Sequence, residues 1–438
     1  MKNIFRISAK IDLWLIIIGI LLSIIGVLFI YSSNINKDHF KYIKQIISLV
    51  LGIIVYIIFA TYDYKRLTEK WFFLYIAGII LLILTLIIGT KINNSKSWIK
   101  IAGFSFQTSE LCKIFFIISL TSFIDKFKDN VKSFSFIIVS LLLLLPYIGL
   151  IIFQPDLGTV IVFILITFIM LFIAGIKLLY IGTLFFIAFI AIVFSFTSYV
   201  FDFYNINNIF SNILRNQVVL SIAGIILIAS GFITMIIYII TPFQSKRVFY
   251  TYIVLLSMGF GLFISVPMKN FFKDYHYKRL IVLIDPEIDP LGKGYNIRQS
   301  VISIGAGKFL GQGFTSGKQN RGNFLPSEDT DFIISVIAEE TGFLGVSIVI
   351  LLLFFLVYKS LHIAFSARDF IGYMLAGGLS AMYISHILIN LFSATGLFPV
   401  IGIPLPFISY GGSSLITNFI ALGILFNIES KKFTYITK

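Results

Sequence analysis

Residues 13–31 read LWLIIIGILLSIIGVLFIY, an apolar run with no charged side chain. At about 1.5 Å per helical residue such a run approaches the roughly 30 Å of a bilayer's hydrocarbon core. Runs of the same kind recur at 72–88, 134–153 and 218–240. Across 438 residues the chain is 58% hydrophobic and 12% charged, with a mean hydropathy of +0.99, which is more apolar than an ordinary soluble domain. Only helices and closed barrels satisfy their backbone in lipid. The apolar stretches have helix length and lack the alternation of barrel strands, so the fold class is an all-α polytopic membrane protein.

About twelve apolar segments follow one another, near 13–32, 43–61, 71–90, 111–125, 134–153, 157–174, 178–200, 217–240, 249–271, 332–357, 370–393 and 413–428. Lys2, Arg6 and Lys10 precede the first; Lys65, Arg66 and Lys70 follow the second; Lys126, Lys128 and Lys132 follow the fourth; Lys246 and Arg247 follow the eighth; Lys431 and Lys432 follow the last. An even number of spans places all five clusters on one face, the cytoplasmic one by the positive-inside rule, together with both termini. Lys41, Lys44, Lys96 and Lys100 fall on the other face and weaken this bias without reversing it. The N-terminus has the charge order of a signal peptide, but its apolar run is longer and no small-residue cleavage site follows, so it reads as a retained first span. The net charge of +14 is assigned to loops and anionic headgroups rather than to nucleic acid. One cysteine, Cys112, cannot form an internal disulfide, and His39, His276, His362 and His386 lack metal-ligand spacing.

The topology leaves four polar stretches outside: 91–110, the turn at 154–156, the long stretch 272–331 before the third-last span, and 396–412. No repeat or flexible linker divides the chain, which reads as a single domain over 1–438. In the first stretch Glu110 and Lys113 share a helix face at the membrane edge, near Trp98. They suit a cavity, or equally a structural ion pair with an interfacial tryptophan. Asp156, fixed by Pro155, reads both as an acid facing a wet cavity and as a helix N-cap.

The stretch 272–331 carries Arg279, Arg298, Gln299, Lys308, Lys318 and Arg321 among Gly305, Gly307, Gly311, Gly313 and Gly317. Glycine lets backbone approach an anion while Lys and Arg supply charge for a pyrophosphate; close packing of a re-entrant loop is the alternative. The glycine spacing matches no nucleotide fingerprint. Asp331 is expected at the first turn of a helix, where capping is its plain role. It also stands where an acidic loop meets the bilayer, the place to deprotonate a sugar hydroxyl whose lipid tail stays in the membrane. Glu339 and Glu340 lie about 12 Å deeper by helical rise and read as supporting residues. The prolines and glycines of 396–412, with Ser409 among them, break helix at membrane depth, so this stretch is a cavity wall or re-entrant element.

In chain order, Trp98-Ile99 with FQTSELCK at 106–113, QPDLGT at 154–159, DPEIDPLGKGY at 285–295, FLP at 324–326 with TDFI at 330–333 and EETG at 339–342, and PLPFISYGGSS at 404–414 resemble the RodA/FtsW (SEDS) family of peptidoglycan polymerases. The matches cover nearly the whole chain, and 289–295 with Gly317-Lys318-Gln319 look more like RodA, the elongation and rod-shape member, than FtsW, the division member. The resemblance implies a glycosyltransferase that polymerises lipid II at the bacterial cytoplasmic membrane. Its partners would be a class B penicillin-binding protein and the elongation machinery, with no nucleic acid. It makes Asp331 the essential catalytic aspartate and 272–331 the catalytic loop. Glu110, Lys113, Asp156 and Arg279 match the cavity's polar residues, and Lys308, Lys318, Trp98, Gln299 and Ser409 are further candidates. No cofactor is fixed; a divalent cation, Mg or Mn, is left open.

Three departures from the family pattern stand out. Ser97 replaces an arginine, with Lys96 or Lys100 as the substitute charge; Thr108 replaces a proline; and Ser327 replaces a glutamate, with Glu328 one place on. Family members typically have ten spans, so an extra pair is expected within 178–248. A lipid II transporter is the rival reading, because intramembrane Asp, Glu and Lys also suit transport; a non-catalytic scaffold is a third.

Overall fold

The computed structural model describes residues 13–35, 40–92, 95–101, 104–131, 133–241, 245–272, 274–290, 292–322 and 324–432. Lys2, Arg6, Lys10, His39 and Lys132 lie outside them. Every expected apolar segment is a helix, and among the described residues ten helices are long and apolar enough to cross a membrane. Of the other two, Thr108–Lys126 carries charges at both ends and Leu157–Ile173 has 17 residues. The chain is a multi-pass membrane protein. Its contacts divide it into two compact units, 1–175 with 290–438, and 176–289.

The first unit begins with α1 (Trp14–Ser33), α2 (Phe40–Thr61), α3 (Tyr64–Glu69) and α4 (Trp71–Ile88). The stretch after α4 folds as a small antiparallel sheet of β1 (Thr90–Ile92), β2 (Ser95–Ile101) and β3 (Phe104–Gln107), with Trp98 paired to Gln107 and Ile101 to Phe104. Its sequence, SKSWIKI followed by FSFQ, alternates over too few residues to stand out among helix-length runs. Then come α5 (Thr108–Lys126), α6 (Phe134–Phe153) and α7 (Leu157–Ile173). Thr108 takes the first helical position, where a proline is tolerated because the N–H has no helical partner. Its hydroxyl meets that of Thr85 at 2.7 Å.

After the second unit the first resumes with α13 (Lys293–Ala306), α14 (Lys318–Arg321), α15 (Ile333–Ser366), α16 (Phe370–Ala394) and α17 (Gly412–Lys431). α16 and α17 are the interior helices: 72% and 78% of their membrane windows are buried, against 22% for α2, α4 and α15. Small residues allow this: a Cβ at Gly378 would stand 2.6 Å from Ile117 and 2.8 Å from the Met170 sulfur.

α15 breaks at Gly342 (φ 66°, ψ −162°). The break frees the carbonyls of Glu339 and Glu340, which accept from the N–H groups of Gln312 (2.9 Å) and Gly313 (3.0 Å), while Phe343 N donates to Lys308 O at 2.9 Å. A loop is thus spliced into a broken helix, satisfying backbone groups that lipid could not. Gly307 and Gly311 are needed for this approach, since a Cβ would fall 1.8 Å from Ala338 O and 2.2 Å from Glu340 O. These two glycines serve loop packing, the second of the readings open to them.

The second unit contains α8 (Leu178–Phe203), α9 (Ile209–Arg215), α10 (Gln217–Ile240), α11 (Lys246–Phe271) and α12 (Asp274–Ile284). α10 and α11 approach backbone to backbone, with a Cβ at Gly259 only 2.8 Å from Ile228 N. Asp202 pairs with Arg215 at 2.8 Å and Lys269 at 2.7 Å. The stretch 272–331 is therefore largely helical, and the division between units runs through it after Asp289.

Candidate functional site

Ser327 has φ +56°, and its carbonyl accepts from Thr330 N and Asp331 N, each at 3.2 Å. This turn, not a helix, carries Asp331: α15 starts at Ile333 with Phe332 as its N-cap, so Asp331 is one residue outside the cap rather than in the first turn. Three groups from the 396–412 stretch and α16 grip the turn's backbone. Tyr410 N donates to Asp329 O at 2.8 Å, Ser409 Oγ to Thr330 O at 2.6 Å, and Asn390 Nδ2 to Asp331 O at 3.1 Å. The same Asn390 amide donates to Ile403 O at 2.8 Å, and Gln45 of α2 ties Ser409 O to Gly411 N. Gly402 (φ +80°) faces the half-buried carboxylate, its Cβ direction 3.9 Å from Asp331 Oδ2. The Pro-rich stretch is therefore the shelf on which Asp331 is mounted.

The other acids meet the same shelf. Lys113 bonds Glu110 at 2.7 Å and His386 Nε2 at 2.6 Å, with His386 Nδ1 3.2 Å from Pro404 O. The carbonyl fixes the proton on Nδ1, leaving Nε2 to accept from the ammonium. Both charges of the ion pair are buried, so each depends on the other. Asp156 caps α7 through Thr159 N (3.1 Å) and Thr159 Oγ1 (2.9 Å) and also accepts from Gln107 Nε2 at 3.0 Å. Its neighbour Gly158 packs so that a Cβ would lie 2.5 Å from Ile401 O. Asp156 is thus the N-cap of α7, with a further hydrogen bond from Gln107.

Glu339 and Glu340 hold the segment 315–320. Glu339 accepts from Gln319 N at 2.8 Å and Asn320 N at 3.3 Å; Glu340 accepts from Thr315 N at 3.1 Å, Asn320 Nδ2 at 2.9 Å and Ser32 Oγ. Their hydrogen bonds hold the loop that carries Lys318. Lys308 and Lys318 are exposed, Gln299 and Trp98 half-buried, and Arg279 lies on α12 in the second unit. Lys96 donates to the carbonyls of Leu86 (2.5 Å) and Ile87 (3.0 Å), so its charge caps α4. Lys100 is exposed.

Several residues escaped the sequence reading. Lys41 pairs with Asp329 at 2.6 Å, beside Asn34, and these with Tyr410 and the turn 327–330 line an open cavity of about 290 Å³. His386, Asn390 and Gln45 gave no local signal; their partners lie far along the chain. Among the described residues no group of three His, Cys, Asp or Glu is placed to hold a metal ion, so no step is assigned to one here.

The sequence model of the FtsW/RodA/SpoVE family, described as cell cycle protein, matches residues 12–217 and 211–433. The chain is 34% identical over 432 residues to the peptidoglycan glycosyltransferase RodA of Treponema pallidum, covering 96% of this chain and 98% of the relative. It is 33% identical to a probable peptidoglycan glycosyltransferase FtsW of Trichlorobacter lovleyi over 78% of this chain and 71% of that one. Among solved structures, a chain from a peptidoglycan synthase complex that coordinates polymerization and crosslinking superposes with TM-score 0.69 at 22% identity, covering 97% and 99% of the two chains. Thermus thermophilus RodA superposes with TM-score 0.58 at 20% identity, over 97% and 99%. These likenesses bear on the fold.

Proposed function

The chain belongs to the FtsW/RodA/SpoVE family of cell cycle proteins, and from that premise we propose that it is a peptidoglycan glycosyltransferase polymerising lipid II during cell elongation. The observation that carries this reading is the mounting of Asp331: a half-buried carboxylate on a turn in which the carbonyls of Asp329, Thr330 and Asp331 are each held by a donor from the Pro-rich shelf or α16. Such rigidity suits a general base that must meet one hydroxyl in one geometry.

In the reaction, Asp331 accepts the proton of the acceptor's GlcNAc 4-hydroxyl as its oxygen attacks the donor's anomeric carbon. The C1–O bond to the lipid pyrophosphate breaks with inversion, and the leaving group departs with the electron pair. Exposed Lys308 and Lys318 supply positive charge for that pyrophosphate. Lys113 is enclosed between Glu110 and His386, so its work is to hold α5 and α16 beside the shelf. The protein sits in the cytoplasmic membrane with both termini inside and the Asp331 turn outside, where its partner is a class B penicillin-binding protein.

Purified full-length chain in liposomes, given lipid II and a transpeptidase-inactive partner, should yield glycan strands resolvable by gel. Translocation of labelled lipid II across the same liposomes without strand formation would move the assignment to a transporter.

A further inference from the structure

Resting on the reading of Asp331 as the base, we propose that Lys41, in the first turn of α2, is a positioning residue for it: an arm from α2 that holds the turn 327–331 through Asp329. Lys41 Nζ lies 2.6 Å from Asp329 Oδ2 and 5.8 Å from the centroid of the Tyr410 ring. Tyr410 N in turn donates to Asp329 O at 2.8 Å. The three residues close a ring of contacts in which Asp329 is held by its side chain from α2 and by its backbone from the shelf. Two residues on, Asp331 shares the turn, its N–H bonded to Ser327 O at 3.2 Å.

α2 is the fixed end of the arm. Its buried stripe is Gln45, Ser48, Gly52, Tyr56 and Ala60, and Lys41 stands four residues before Gln45 on the same face. A Cβ at Gly52 would lie 2.4 Å from the Phe419 ring, and one at Gly412 2.6 Å from Ser48 Oγ, so α2 has no room to shift toward α17. Gln45 donates to Ser409 O at 3.3 Å and accepts from Gly411 N at 3.2 Å. α2 therefore grips the shelf with Gln45 and the turn with Lys41, one helical turn apart. The turn residues 327–330 line an open cavity of about 290 Å³, so on that side the ion pair does what packing does elsewhere. Asp329 is buried, and without the ammonium its carboxylate keeps only the Asn34 amide at 3.5 Å, a poor substitute for a counter-ion. A base must stand within hydrogen-bond reach of one hydroxyl, and displacements of about 1 Å cost up to about a hundredfold in rate. Loss of the arm is therefore a loss of turnover and not of substrate binding.

The test uses the full chain in liposomes with its transpeptidase-inactive partner and lipid II, reading kcat and KM separately. Lys41→Met should lower kcat for strand formation about tenfold with KM within about twofold of wild type. Lys41→Arg, which keeps charge and reach, should recover most of the rate. Because Lys41→Met strands a buried carboxylate, Asp329→Ala is measured beside it. That variant removes the anchor, leaves a lysine whose side chain is already 33% exposed, and should show the same fall in kcat. An unchanged kcat in either folded variant, or a loss carried by KM, overturns the assignment. No strands from wild type, or equal strands from Asp331→Asn, would instead fail the reading on which the arm rests.

Discussion

Asn390 donates one amide hydrogen to Asp331 O at 3.1 Å and the other to Ile403 O at 2.8 Å. A single side chain on α16 thereby ties the Asp331 turn to the Pro-rich shelf. Asn390→Ala strands the buried Ile403 carbonyl, at about 1–3 kcal/mol, together with the half-buried Asp331 carbonyl, and frees the turn. Strand formation should fall by about tenfold or more, as small misplacements of a base do, while the variant still purifies with its partner. Unaltered turnover in Asn390→Ala would show that the turn is fixed without it.

Two glycines two residues apart, Gly305 and Gly307, give a paired test of the spliced loop. A Cβ at Gly305 meets nothing within 4 Å, whereas one at Gly307 would meet Ala338 O at 1.8 Å. Gly305→Ala should be neutral or stabilising by about 1 kcal/mol, since glycine is the poorer helix former. Gly307→Ala should lower the thermal midpoint sharply, because backbone cannot yield as a side chain would. Equal midpoints for the two variants would contradict the loop's placement against α15.

Lys113 is buried with Glu110. Lys113→Met leaves an unpaired carboxylate and should cost about 3–5 kcal/mol. Glu110→Gln/Lys113→Met should recover most of that loss, read as yield of monodisperse protein. If the double variant is no better than the single one, the ion pair is not what Lys113 satisfies.

At the N-terminal end of α16, Asp369 accepts from Tyr64 Oη at 2.9 Å and Lys65 Nζ at 2.7 Å. Burial pushes its carboxyl upward, but the hydrogen bonds from Lys65, Gly372 N and Tyr64 together with the Lys65 charge hold it below the ordinary carboxylate range. A lowered native pKa contributes stability above the unfolded value, near 4, and loses it as pH falls through the native one. Asp369→Asn should therefore be less stable than wild type at pH 7, and the gap should close as pH falls through the lowered native value. A gap that persists or widens in acid would refute this.

The spans were legible because lipid imposes a length on them, and 13–31 could be read without reference to any other residue. The sheet at 90–107 was not, since its alternation covers only a few residues between helices. The shelf at 404–411 announced itself through prolines that lipid would not tolerate unburied. Its partners did not: Lys113 and His386 are 273 positions apart, and nothing local marks a histidine as a lysine's acceptor. Lys41 counted only as an exception to the charge bias, yet Asp329 accounts for a lysine at that place. Asp331 was singled out by its place where an acidic stretch meets the bilayer and by the family resemblance, but its position outside the helix cap depends on the Ser327 backbone, which composition does not reveal.

In the proposed reaction Asp331 is the general base. Glycan strand formation from purified lipid II should be measured for wild type and Asp331→Asn, each co-purified with a penicillin-binding partner whose transpeptidase is inactive. Strands are expected from wild type and none from a folded, partner-bound Asp331→Asn; equal strands from both would remove Asp331 from the reaction.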